Sequence, residues 1–242
     1  MRFEPYPNDP SRKLLACYLP LGDRQLPASL AEIYVACGVD IVEVGLPDAN
    51  PTLDGPVIRD SMARSIESGV TPEVWQRLVH ELRHACPHTY LVAMGYVNVA
   101  PYVVSARGEQ LVDAVLQVGD PNPDENEALD TVVFVSTDLG PAELDKARRA
   151  SGYVMLQANE GKTGLRSALP AESGPRIARL REAGITAPIL LGIGISTPEQ
   201  CVTAVELGAD GVVMGSACVH AAAQGEDSVR DLLTEVREAL DA

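Results

Sequence analysis

Short apolar runs rich in Val, Ile and Leu alternate along this 242-residue chain with stretches whose apolar positions recur every three to four residues. The first pattern predicts strands buried on both faces, the second amphipathic helices. Residues 1–12 carry Pro5, Pro7 and Pro10, so no helix is predicted there. Strands are predicted at Leu14–Leu21, Ile41–Leu46, Tyr90–Val97, Ala114–Val118, Thr131–Ser136, Tyr153–Gln157, Pro188–Ile195 and Gly211–Met214. Leu30, Ile33, Tyr34 and Cys37 predict a helix stopped by Gly38. Further helices are predicted over 57–68, from Thr71-Pro72-Glu73 onward with Leu78 and Leu82 as its stripe, and over Ala106–Val112, Pro141–Ala150 and Ile177–Ala183. Thr197-Pro198-Glu199-Gln200 is a capping box, a short helix is predicted after Gly215, and a closing helix lies near Val229–Leu240.

Eight strands alternating with helices in a chain of this length is the rhythm of an α/β fold of the (β/α)8 TIM-barrel type. A doubly wound open sheet is the rival, but it needs a topological switch and usually fewer strands. Neither a linker nor a composition break divides the chain, so residues 1–242 are read as one barrel domain. The acidic segment Gly119–Glu127, with Pro121 and Pro123, is too short for a full crossover helix.

The net charge of −15 argues against a nucleic-acid or anionic-membrane partner. It leaves room for a small anion, because backbone N–H groups hold phosphate without net positive charge. Five cysteines without CxxC spacing fit reduced thiols in a cytoplasmic protein. No signal peptide is read before Ser11, and no apolar run is long enough to span a membrane.

Two features change the picture from fold to chemistry. Glu43 stands inside the apolar run Ile41–Leu46, where an ionised group is costly unless it is paired or has work to do. A second acid, Asp54, follows in the loop after that strand, before Gly55-Pro56. On the C-terminal edge of a parallel barrel, two converging acids suggest general acid–base catalysis, with Glu43 deep and Asp54 at the rim. The alternative is a structural ion pair between Glu43 and a buried Arg or Lys. At the other end of the chain, Gly192-Ile-Gly194-Ile-Ser196 and Met214-Gly215-Ser216-Ala217 follow the last two strands, the usual phosphate-binding loops of this fold. Gly164 can add a further N–H. His80, His84 and His88 recur at i, i+4 spacing on an outer helix; a metal site needs more ligands, and none is expected there.

Together, Leu21-Gly-Asp23, Glu43-Val-Gly-Leu-Pro47, Asp54-Gly-Pro56, Gly69-Val-Thr-Pro72, Tyr96, Asn98, Thr163-Gly164, Gly194-Ile-Ser-Thr-Pro-Glu-Gln200 and Gly215-Ser216 resemble the tryptophan synthase alpha subunit family over nearly the whole chain. The resemblance implies a lyase that cleaves indole-3-glycerol phosphate to indole and glyceraldehyde 3-phosphate by a retro-aldol reaction. By position, Glu43 would be the general acid–base and Asp54 would accept the indole N–H. Backbone at Gly164, Gly194, Gly215 and Ser216 would hold the phosphate, and Tyr18 and Tyr96 would line the indole pocket. The resemblance implies neither metal nor organic cofactor. It implies a beta subunit as partner, but Asp48, Ala49 and Asn50 depart from the family's docking loop and put that partnership in question. Met155 stands where the family usually has a pocket tyrosine, Pro20 replaces a threonine, and Asn159–Lys162 departs from the family loop. Asp120 resembles the family's strand-four acid. Two other readings stay open: the same barrel turned to another phosphorylated substrate, or a non-catalytic binder of a phosphometabolite that modulates a partner enzyme.

Overall fold

The computed structural model describes residues 11–96, 99, 102–104, 108–118, 129–159, 161, 164 and 169–242. Its elements run β1 (Leu14–Pro20), α1 (Leu30–Ala36), β2 (Ile41–Gly45), α2 (Pro56–Glu67), α3 (Pro72–Ala85), β3 (Tyr90–Gly95), β4 (Ala114–Gln117), β5 (Asp130–Thr131) and β6 (Val133–Val135). They continue through α4 (Pro141–Ala147), β7 (Val154–Gln157), α5 (Ser173–Glu182), β8 (Ile189–Gly192), α6 (Pro198–Glu206), β9 (Gly211–Met214), α7 (Ser216–Gln224) and α8 (Glu226–Asp241). All described strand pairs are parallel, in the order β5-β4-β3-β2-β1-β9-β8-β7-β6.

The nine segments make eight barrel positions, because β5 and β6 are one strand that changes partner. Thr131 still pairs with Val115 on β4. The Val132 N–H goes to Val115, but the Val133 N–H goes to the Tyr153 carbonyl beside β7. The chain itself therefore closes the ring at the predicted strand Thr131–Ser136. Inside the barrel Ile41, Val92, Leu116, Tyr153, Met155, Leu190 and Val213 pack together, while alternate residues such as Leu15, Cys17 and Val42 pack under the helices.

Local signals place the helices. Thr197 accepts the Gln200 N–H and the Gln200 side chain returns the bond, so the predicted capping box opens α6. Pro72 occupies the first turn of α3 and Thr71 caps it. The helix predicted over Ala106–Val112 is corrected: Val104 pairs antiparallel with Gln110, and the Leu111 N–H reaches the Val103 carbonyl. Gly108, at φ +77°, takes a left-handed conformation that a helix cannot continue through. No helix among the described residues is long and apolar enough to cross a membrane.

The foot of the barrel repeats one arrangement three times. Asp40, immediately before β2, accepts the Leu15 N–H at 2.8 Å and faces Arg12 and Arg237, each at 3.2 Å. Asp113, before β4, accepts the Leu91 N–H at 2.8 Å and meets Arg83 at 2.6 Å. Asp210, before β9, accepts the Ile189 N–H at 2.7 Å and pairs with Arg181. Each acid thus ties the start of its own strand to the start of a neighbour and to an outer helix or the amino-terminal segment.

Candidate active site

β2 points Ile41, Glu43 and Gly45 to one side by strand alternation. Glu43 therefore projects into the barrel near its mouth, at only 2% exposure. Its partner is the Tyr153 hydroxyl, which donates to Oε1 across the barrel. No arginine or lysine forms an ion pair with Glu43 among the described residues, so the structural-pair reading has no cation to rest on. Burial pushes the carboxyl up to about 7, against the pull of the Tyr153 hydrogen bond. A carboxyl at that value exists in both protonation states near neutral pH.

The loop after β2 folds back over the mouth. Leu53 N–H donates to the Tyr96 hydroxyl at 3.0 Å, and that hydroxyl donates to Asp54 Oδ2 at 2.6 Å. Tyr96 thereby fixes both the loop backbone and the acid. The sequence places Asp54 at the rim; the fold-back buries it to 2% exposure instead. Gly55 then caps α2, with Pro56 at its first position.

Tyr18 lies in register with Glu43 on the adjacent strand. Its ring lies over Gly45: a Cβ there would stand 2.0 Å from Tyr18 Oη, so only glycine fits. From outside, the Trp75 indole donates to the Gly45 carbonyl at 3.0 Å and the Tyr34 hydroxyl to the Tyr18 carbonyl at 2.9 Å. Both strand ends are thus pinned by aromatic side chains of the outer helices.

One cavity, with an empty volume of about 680 Å³ counting its open mouth, brings all the predicted site residues together: Glu43, Asp54, Tyr18, Tyr96, Gly164, Gly194, Gly215 and Ser216 line it. Its remaining wall is apolar, from Ile58, Met94, Leu116, Phe134, Met155 and Val213 among others. Such a wall suits a flat aromatic group. Two polar atoms in this wall stand out. Tyr18 Oη and Ser216 Oγ are buried without a hydrogen-bond partner among the described residues. A buried hydroxyl left unpaired costs free energy unless something else supplies the partner. Ser216 opens α7, whose first-turn N–H groups have no partner within the helix and whose cap Gly215 offers no side chain. Ile193 sits beside Gly194 at φ +65°, a strained conformation for a β-branched residue.

Asn98, Asp120 and Thr163 lie outside the described residues. Of metal-ligating groups, one cluster occurs among the described residues: His80 and His84 on α3 with Glu109 of the β3–β4 connection, none of them lining the cavity.

A family model described as tryptophan synthase alpha chain matches residues 7–241. The chain belongs to the tryptophan synthase alpha chain family. A relative of that name from Geobacter sulfurreducens is 34% identical over 256 aligned residues, covering 95% of this chain and 94% of the relative. One from Natronomonas pharaonis is 33% identical, covering 87% and 82%. Among solved structures, Mycobacterium tuberculosis tryptophan synthase superposes with a TM-score of 0.80 at 26% identity, covering 96% and 94%. Membership in this alpha-chain family makes the protein an aldolase-type lyase and does not favour the readings as a repurposed barrel or a binder. One residue of the site escapes sequence reasoning, Tyr153. It stands just before β7 and meets Glu43, 110 positions away, only because the barrel closes.

Proposed function

We propose that this alpha-family chain cleaves indole-3-glycerol phosphate to indole and glyceraldehyde 3-phosphate. The observation that carries the reading is one cavity holding two buried acids and two hydroxyls with no partner among the described residues, beside the open N-terminus of α7. Indole fills the apolar part of the wall, and its N–H donates to Asp54, which Tyr96 holds in place. Glu43, protonatable near neutral pH, delivers a proton to indole C3 and removes the proton of the adjacent glycerol hydroxyl. The C3–glycerol carbon bond then breaks: its electron pair returns to the indole ring, and the hydroxyl-bearing carbon leaves as the aldehyde. Asp54, as a carboxylate, stabilises the positive charge that builds on the ring after protonation.

The phosphate is held by N–H groups at Gly194, Gly215 and Gly164 and by Ser216, whose hydroxyl donates to it. The chain acts without its family's beta subunit and releases free indole. In the loop, the half-buried Asp48 accepts the Asn50 N–H at 2.7 Å, and Ala49 and Asn50 are exposed.

The test is indole release from indole-3-glycerol phosphate by the purified chain, alone and with a beta subunit added. Steady release by the chain alone is the expected result. Release only with the beta subunit would refute partner independence and leave the lyase standing. Silence in both would refute the lyase.

A further inference from the structure

The connection from β3 to β4 contains no α-helix among its described residues, so something other than helix packing must hold it against the barrel. A row of side chains on α3 does so. Gln76 donates to the Val104 carbonyl at 2.6 Å, His80 meets Glu109 at 3.2 Å, and Arg83 donates to the Leu111 carbonyl at 3.1 Å. The Val104–Gln110 bridge closes the connection on itself. Glu109 is therefore held in place from both sides, opposite two histidines one helical turn apart.

We propose that His80, His84 and Glu109 form a site for a divalent transition-metal ion of the zinc type, which staples the β3–β4 connection to α3. The ligand atoms of the three residues already lie within 4.8 Å of one another. Around a zinc ion, imidazole nitrogens and a carboxylate oxygen stand about 2.0–2.2 Å from the metal, so neighbouring ligands sit roughly 3.3 Å apart. The His80–Glu109 separation of 3.2 Å has that spacing. The His80 and His84 rings are 4.5 Å apart between centroids, and a modest turn of the more exposed His84 completes the set. Spacing of i, i+4 on one helix face is what lets two imidazoles share an ion. Two nitrogens and one oxygen, without a thiol, favour Zn2+, Co2+, Ni2+ or Cu2+ over Ca2+ and Mg2+, which prefer all-oxygen shells. Three protein ligands on an open surface leave a fourth position to water. The role is structural, because the site faces away from the cavity.

The experiment titrates tag-free, metal-stripped protein with Zn2+ by calorimetry and with Co2+ by visible absorption, and records Tm with and without Zn2+. The expected result is one saturable site, weak visible Co2+ bands, and a Tm raised by several degrees. His84→Ala and Glu109→Gln, both at exposed positions and checked by circular dichroism for native fold, should each weaken Zn2+ binding about tenfold or more, since each removes a ligand. Indole release at low temperature should be the same with and without Zn2+. No saturable binding at submillimolar Zn2+ would overturn the proposal. So would undiminished affinity in His84→Ala, or an intense near-ultraviolet thiolate band with Co2+, which would place the ion on a cysteine.

Discussion

At the foot of the barrel Asp40, Asp113 and Asp210 each meet an arginine and a strand N–H; at the mouth Glu43 and Asp54 meet tyrosines. The distinction is chemical. An arginine stays charged at any ordinary pH and holds its partner as an anion, whereas a phenol donates one hydrogen bond and lets the acid keep or lose its proton. Burial pushes Asp40 up to about 6 even against the Leu15 N–H and Arg237, and leaves it mainly ionised at neutral pH among its cations. Glu43, with only Tyr153 to offset burial, stands at about 7. The foot spends its acids on holding strands together. The mouth pairs its acids with phenols instead, beside the strained Ile193 and two hydroxyls that lack a partner among the described residues. Removing a foot residue should therefore cost stability and spare chemistry, and removing a mouth residue should do the reverse.

The largest effect expected is on turnover in Glu43→Gln. Losing the group that moves both protons should lower kcat by about 10²–10⁴-fold, with binding of product phosphate nearly unchanged. At the foot, Arg237→Leu leaves the buried Asp40 short of a cation and should destabilise the protein by roughly 3 kcal/mol in urea unfolding, with kcat unchanged at low temperature. A matching loss of turnover would erase the contrast between the two ends. Tyr153→Phe removes the hydrogen bond that lowers the Glu43 pKa, so Glu43 should hold its proton to higher pH. The pH–rate profile should move upward and kcat fall about tenfold; an unmoved profile would take Tyr153 out of the site. The smallest effect is Ser216→Ala. It should raise KM about tenfold with kcat and stability unaltered, because the hydroxyl has no partner to lose among the described residues. A clear drop in Tm would mean that the hydroxyl serves the fold.

Much of this was legible in the sequence because it is local. The strands announce themselves as β-branched runs, and an acid inside one of them, Glu43, is conspicuous against its neighbours. The glycines at 194 and 215 fall just after the last two strands, where they line the cavity. The foot was equally available: Gly38-Val-Asp40 and Gly208-Ala-Asp210 place an acid just before a strand in each case. What escaped depends on distance in the sequence or on one residue's conformation. Tyr153 reaches Glu43 only across the closed barrel. The burial of Asp54 accompanies long-range contacts of the folded-back loop, Leu53 and Asp54 both bonding to Tyr96. The helix read at Ala106–Val112 fails at Gly108, whose left-handed φ lets the chain turn and pair with itself. The partner change at Val132 is likewise a property of closure, and an apolar run carries no mark of it.

The central claim is that Glu43 is kept for chemistry at a cost to the fold. Its folded pKa, about 7, lies above its ordinary 4.5, so the folded state binds the proton more tightly than the unfolded chain. The group therefore costs nothing below about pH 4.5, and the cost grows as pH rises, reaching about 3 kcal/mol above pH 7. The direct measurement is urea unfolding of wild type and Glu43→Gln at pH 5 and pH 8, with indole release assayed on the same samples. Glu43→Gln should gain stability over wild type at pH 8, gain much less at pH 5, and release indole at least about 100-fold more slowly. A variant that is less stable at pH 8, or that releases indole at close to the wild-type rate, would contradict it.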